Sequence, residues 1–244
     1  MSAFESRERL VVVGHRGGRG EGWPTENTVA AFERAIDEGV DAIELDVRAC
    51  ATGEVVVFHD PDLKRMSDGR DARLVRDVPY LELATRHRVP LLRDVLALCV
   101  DRSVGVNVEI KYDFVDRAPL VRDVMATIDE LPRADVIVSS FDPRILARAR
   151  AIKPKTRVAF LTTTERAWSL PLARTLSHAG APLVFAVHLE RVQADDRIVA
   201  KLKSRGLHVG VWTVNDADEA RAFQRAGVDW IITDSLRRRR LESA

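Results

Sequence analysis

Cysteine is nearly absent: Cys50 and Cys99 are the two in 244 residues. Without ligand-like spacing they exclude a disulfide framework and a thiolate zinc site, and both read as small buried hydrophobes. Long hydrophobic runs are missing as well. The longest near the N-terminus is Leu10 to Val13, far below the ~7–15 residues of a signal-peptide core or the ~18 of a membrane span. The expected location is therefore cytoplasmic, with no stable membrane association. Neither sign of charge prevails. The 38 Lys and Arg against 37 Asp and Glu leave a formal net charge of +1, which gives no global positive field to hold a nucleic acid. Glycine and proline, 13 and 10, are too few for collagen or a flexible linker.

With 46% hydrophobic and 31% charged residues, the chain is a folded, soluble protein. Eight β-branched runs recur along it: Leu10 to Val13, Ala42 to Val47, Val104 to Ile110, Val136 to Ser140, Val158 to Leu161, Leu183 to Val187, His208 to Thr213 and Trp230 to Thr233. Amphipathic stretches separate them, among them Glu26 to Glu38, Leu91 to Val100, Pro119 to Leu131, Pro143 to Ile152, Ala194 to Arg205 and Ala217 to Ala226. Strand followed by helix, repeated at about 30 residues per unit, predicts a (β/α)8 TIM barrel filling residues 1–244 as one domain. The alternative is a doubly wound sheet binding a dinucleotide, but Gly14, Gly17 and Gly20 miss the required spacing. Val55 to Phe58 reads as a hairpin return across Thr52-Gly53. The polar stretch Pro61 to Val89 reads as an irregular loop over one end of the barrel.

A barrel draws its reactive groups from the C-terminal ends of its strands. Here those ends carry His15 and Arg16, Glu44 and Asp46, His59 and Asp60, Asn107, Glu109 and Lys111, Trp212 to Asn215, and Asp234. Alternation puts Glu44 and Asp46 on one face of their strand, and Glu109 and Lys111 on one face of theirs. If both faces point inward, three carboxylates crowd together, and each pair ~4 Å apart repels by about 4 kcal/mol at an effective dielectric of 20. Arg16 and Lys111 offset part of this. A bound cation offsets more, and hard oxygen donors point to Mg²⁺ or Ca²⁺. The competing reading is a set of salt-bridged or solvent-facing residues on an edge strand. His15 and His59 are the natural proton carriers, and glycines beside His15 leave backbone N–H groups free for an anion. Together these groups suit cleavage of a small-molecule phosphodiester.

The ordered segments His15-Arg16-Gly17, Glu26-Asn27-Thr28, Ile43 to Val47, Phe58-His59-Asp60, Glu109-Ile110-Lys111, Ser139-Ser140-Phe141, Trp212 to Asn215 and Ile232-Thr233-Asp234 resemble the glycerophosphodiester phosphodiesterase family. The resemblance runs through most of the chain. It implies a divalent cation held by Glu44, Asp46 and Glu109, catalysis by His15 and His59, phosphate contacts from Arg16 and Lys111, and a pocket lined by Trp212. It also implies a mechanism in which the neighbouring glycerol hydroxyl attacks phosphorus and the two histidines exchange base and acid roles; the sequence does not fix which is which, and His15 as base with His59 as acid in the first step is the favoured order. A cyclic phosphate then hydrolyses to glycerol 3-phosphate. Thr25 separates Pro24 from Glu26, where the family usually has proline adjacent. Two rivals remain: a relative acting on a lysophospholipid or another phosphodiester headgroup, and a catalytically silent binding barrel. The basic run Arg237 to Arg240 reads as a solvated face, and His87, His178, His188 and His208 as structural or surface residues.

Overall fold

Strands form where β-branched residues must be buried on both faces, and a barrel meets that demand by covering one face with helices and filling the other with side chains. The computed structural model describes residues 2–5, 9–112, 118–176 and 183–235. His178 and the Arg237 to Arg240 run lie outside them. The strands are β1 (Val11–His15), β2 (Ala42–Ala49), β3 (Val55–Val57), β4 (Gly105–Ile110), β5 (Val136–Ser140), β6 (Val158–Leu161), β7 (Ala186–Glu190), β8 (His208–Trp212) and β9 (Trp230–Thr233). All except β3 are parallel. They run β1, β9, β8, β7, β6, β5, β4, β2, and pairing of β1 with β2 closes the ring. The chain is a (β/α)8 TIM barrel, with β3 paired antiparallel to the end of β2.

The helices are α1 (Val29–Asp37), α2 (Tyr80–His87), α3 (Leu92–Arg102), α4 (Ala118–Asp129), α5 (Pro143–Ile152), α6 (Ser169–Leu176), α7 (Asp196–Lys203) and α8 (Ala217–Arg225). Several starts are written in the sequence. Thr28, Asp142, Asp195 and Asp216 each accept a hydrogen bond from a first-turn backbone N–H, and Pro143 occupies the first turn of α5, where its missing N–H costs nothing. Valine, leucine and isoleucine fill the layer between strands and helices. A smaller cluster fills the interior, with Val11, Val13, Ala42, Ile137, Ala159, Ala186, Trp230 and Ile232 packed together and Phe4 sealing one end. Trp230 meets Phe4 edge to face at 5.6 Å.

Gly210 makes room for that indole: a Cβ there would lie 2.1 Å from Trp230 Nε1. Gly210→Ala is therefore expected to overpack the barrel interior and cost about 1–3 kcal/mol, read as a lower urea midpoint at unchanged m-value.

Two expectations need correction. The sixth parallel strand is Ala186–Glu190, three residues later than Leu183 to Val187. Pairing of Ala159 with Ala186 and Leu161 with His188 sets this register, and Leu183 is left 62% exposed. His188 is thus an interior strand residue. The stretch after β3 is also more ordered than its polar composition implies: it holds two short 3-10 turns and α2. Leu63, Val75, Val78 and Leu83 pack with Val56 and Phe58 into a separate small core beside the hairpin. Cys50 and Cys99 are buried free thiols, as expected.

Candidate active site

The strand periodicity delivers the acidic cluster. Glu44 pairs in register with Asn107, and Asp46 with Glu109, so alternate residues of β2 and β4 face the same interior. Ligand oxygens of Glu44, Asp46 and Glu109 all lie within 4.8 Å of one another, and all three residues are buried. Two cations stand against them. Lys111 Nζ is 2.8 Å from Asp46 Oδ1 and 2.7 Å from Glu109 Oε1, and Arg16 Nε is 3.2 Å from Asp46 Oδ2. Asn27 Nδ2 also donates to Asp46 at 2.9 Å.

The electrostatic consequence differs from residue to residue. For Asp46, burial is outweighed by Lys111 and Arg16, so its carboxyl sits well below the usual range. Burial, with Asp46 and Glu109 as like-charged neighbours, pushes Glu44 well above it. Lys111 is held above its ordinary value because the pull of Asp46 and Glu109 exceeds the cost of burial. Three carboxylates against two cations leave the cluster one positive charge short. An all-oxygen donor set that cannot keep all its charges unaided fits a hard divalent cation. The Asn107 amide agrees with a polar occupant: it is 1% exposed, lines the same cavity and has no hydrogen-bond partner among the described residues.

Each histidine turns one nitrogen away from the cavity. His15 Nδ1 is 2.8 Å from Asp234 Oδ1, and His59 Nδ1 is 2.6 Å from Asp60 Oδ1. Burial would raise Asp234, but bonds from His15 and Arg19 outweigh it and hold the carboxyl at about 2. Asp60 is likewise held low by Arg65 and His59 against its burial. Both carboxylates can only accept when ionised, so each favours the ring tautomer with the proton on Nδ1 and leaves Nε2 unpaired with it. For His59, burial lowers proton affinity, with Lys111 and Arg16 adding to the effect and Asp46 opposing it.

The turn after β1 sets the approach. Gly17 has φ +79°, and a Cβ there would strike the Ala31 backbone at 2.7 Å, so this turn rests directly on the start of α1. Arg16 follows His15 at φ 53°, and its backbone N–H donates to Glu44 Oε2 at 3.0 Å. His15, Arg16, Glu44, His59, Asn107, Glu109, Lys111, Phe141, Leu161, Trp212 and Ile232 enclose a cavity of about 140 Å³. The structure thus gathers seven of the eight residues singled out by sequence around one space, and the eighth, Asp46, is buried in the carboxylate cluster with Glu44 and Glu109. His188 is not at that wall. It accepts from Trp230 Nε1 at 3.2 Å, and burial drops its ring to about 3.

Sequence reasoning noted Asp60, Phe141 and Asp234 without giving them a role, and passed over Arg19 and Arg65. Asn215 belongs with these, bonding Asp234 at both its backbone N–H and Oδ2. The signal for Asp60 was its place directly after His59. No comparable signal marks Arg65, which comes from the segment read as an irregular loop.

A closed barrel with ionisable groups converging at its strand C-termini has the architecture of a TIM-barrel enzyme, and the family it matches is one of phosphoric diester hydrolases. Over residues 15–238 the sequence matches the glycerophosphoryl diester phosphodiesterase family, to which the chain belongs. It is 30% identical over 239 residues to a glycerophosphodiester phosphodiesterase of Caldanaerobacter subterraneus subsp. tengcongensis, covering 93% of this chain and 94% of the relative. The glycerophosphodiester phosphodiesterase of Thermotoga maritima superposes with a TM-score of 0.74 at 28% identity, over 94% of this chain and 96% of that one. The fold is shared with an Oleispira antarctica phosphodiesterase solved with its product sn-glycerol-3-phosphate, at a TM-score of 0.83 and 22% identity, covering 100% of this chain and 98% of that one. Among the described residues no helix is long and apolar enough to cross a membrane.

Proposed function

We propose that this protein hydrolyses glycerophosphodiesters to glycerol 3-phosphate and an alcohol, with a divalent cation, Mg²⁺ or Ca²⁺, held by Glu44, Asp46 and Glu109. The observation that carries this reading is convergence: Glu44, Glu109 and both histidines share one 140 Å³ cavity with Arg16 and Lys111, and Asp46 joins the two glutamates in one carboxylate cluster. The family membership and the names of the relatives support the substrate class.

The cation, when bound, supplies Lewis-acid stabilisation of charge on the phosphoryl oxygens. The residues do the rest. Arg16 and Lys111 bring positive charge to a phosphodiester monoanion. His15 Nε2 takes the proton from the glycerol hydroxyl beside the phosphate, and that oxygen bonds to phosphorus as the P–O bond to the alcohol breaks. His59 Nε2–H gives its proton to the departing oxygen. His59 must enter this step protonated, against the lowering of its proton affinity by burial, Lys111 and Arg16, which Asp46 and the bond to Asp60 oppose. In the second half the roles reverse: His59 takes a proton from water, which opens the cyclic phosphate, and His15 returns one to the glycerol oxygen. Trp212 and Phe141, edge to face at 5.7 Å, form an apolar wall for the carbon skeleton.

The rim bears on the headgroup. The segment after β3 buries Leu63, Val75, Val78 and Leu83 in its own small core, leaves Leu81 exposed, and presents Lys64 and Arg65 outward. This favours a water-soluble diester over a lysophospholipid. In side-by-side assays of released alcohol with added Mg²⁺ or Ca²⁺, glycerophosphocholine is expected to turn over at least about tenfold faster than lysophosphatidylcholine, a difference of ~1.4 kcal/mol. Turnover of the lipid alone would overturn the substrate class, and turnover undiminished by chelation would overturn the metal.

A further inference from the structure

The barrel ladder does not tie the two histidines to each other. His15 ends β1 and pairs with Glu44 across the sheet, whereas His59 lies two residues beyond the three-residue strand β3. The backbone at His59 is held, since Arg48 donates to its carbonyl at 2.6 and 2.9 Å. Its ring is set by Asp60, which Arg65 grips in turn, Nε to Oδ2 at 2.6 Å. The same guanidinium donates Nη2 to Glu26 Oε1 at 2.7 Å. Glu26 Oε2 lies 3.4 Å from Arg19 Nη1, and Arg19 holds Asp234 through Nε and Nη2 at 2.9 and 3.1 Å. Contacts therefore run without a gap from His59 through Asp60, Arg65, Glu26, Arg19 and Asp234 to His15.

We infer that Glu26 and Arg65 are positioning residues that hold the two proton carriers in one fixed relation, Arg65 being the contribution of the segment after β3 to the active site. The alternation of sign makes the chain depend on its middle members. Glu26, with its side chain 7% exposed, also accepts from Arg16 at 3.0 Å, so one carboxylate lies among three guanidinium groups and screens them from one another. Without that charge the three repel one another and release the aspartates they orient. Arg65 uses separate nitrogens for Asp60 and Glu26, which requires the planar fork of arginine. Neither Glu26 nor Arg65 lines the cavity, so both act through the histidines and not on substrate.

The inference rests on the two-histidine reading above. Arg65 is half exposed, 49% by side chain, so Arg65→Ala leaves a solvent-accessible slot without disturbing the core. Its kcat on glycerophosphocholine is expected to fall about 10- to 100-fold, as for a misplaced catalytic group, with KM within about twofold of wild type. Millimolar guanidinium should restore much of the loss, and Glu26→Gln should show the same split without that rescue. In a His59→Ala background, Arg65→Ala should cost nothing further, because the two act as a unit. An unchanged kcat in Arg65→Ala, or a loss that appears in KM, resists guanidinium and adds fully to His59→Ala, overturns the inference. If His15→Ala and His59→Ala themselves keep wild-type turnover, the reading of the histidines has failed and the inference falls with it. If they lose turnover while Arg65→Ala and Glu26→Gln keep it, only the positioning role of Arg65 and Glu26 is wrong.

Discussion

Alanine in place of His15 is expected to reduce kcat on glycerophosphocholine by about 10²–10⁴-fold, the range for a positioned general acid or base, and His59→Ala by a similar factor. The expectation follows from the way both rings are held. Asp234 and Asp60 each fix Nδ1–H, so in each ring a single nitrogen is left to face the cavity. Removing either ring leaves the carboxylate cluster, Arg16 and Lys111 in place, so substrate affinity should change far less than turnover. Single-turnover kinetics with each variant separates the two quantities. If His15 is the group that deprotonates the attacking hydroxyl, His15→Ala should block formation of the cyclic phosphate. His59→Ala should recover in part on a diester with a nitrophenyl leaving group, which departs without a proton. Recovery of His15→Ala and not His59→Ala on that substrate would exchange the two roles. Unchanged turnover in both would remove the histidines from the mechanism.

The periodic and contiguous features were legible in the sequence. Alternation in Ile43 to Val47 placed Glu44 and Asp46 on one face, and the register of β2 against β4 brings Glu109 opposite Asp46. The eight-strand count held for the same reason, since β-branched runs have few alternatives to burial in a sheet. Local patterns failed where tertiary register decides. Leu183 to Val187 is an acceptable strand in isolation, yet pairing with β6 starts the strand at Ala186 and turns His188 inward under Trp230. Tyr80–His87 was hidden because a short helix with the single fully buried residue Leu83 carries little periodic signal. The network behind the histidines was least accessible. Asp234 and His15 are 219 residues apart, and Arg65 and Glu26 are 39 apart, so only closure of the ring and folding of the segment after β3 make them neighbours.

Glu44→Gln should move activity and stability in opposite directions. The folded protein holds the Glu44 proton more tightly than the unfolded chain does, because burial and the charges of Asp46 and Glu109 raise its carboxyl well above the usual range. Above the unfolded value of ~4.5, folded molecules therefore bind more protons than unfolded ones. By linkage, stability then falls as pH rises, until Glu44 ionises in the folded state as well. Glutamine keeps the shape, and its carbonyl can still accept from the Arg16 N–H that now bonds Glu44 Oε2. It carries no charge, so this pH-dependent loss should vanish. In excess chelator the variant should melt above wild type, by about 2–4 °C for each kcal/mol of repulsion relieved in a chain of this size, and the gap should widen from pH 5 to pH 8. Added Mg²⁺ or Ca²⁺ should reverse the order, since a ligand that binds only the folded state raises wild-type stability by RT ln(1 + [L]/Kd) while a site with one carboxylate removed gains little. Activity of the variant should fall by about 10²-fold or more at every metal concentration. Scanning calorimetry at both pH values, with chelator and with each cation, measures all of these. A variant that melts below wild type in chelator at pH 8, or that still gains full stability from metal, would show that Glu44 is neither the strained charge nor a ligand.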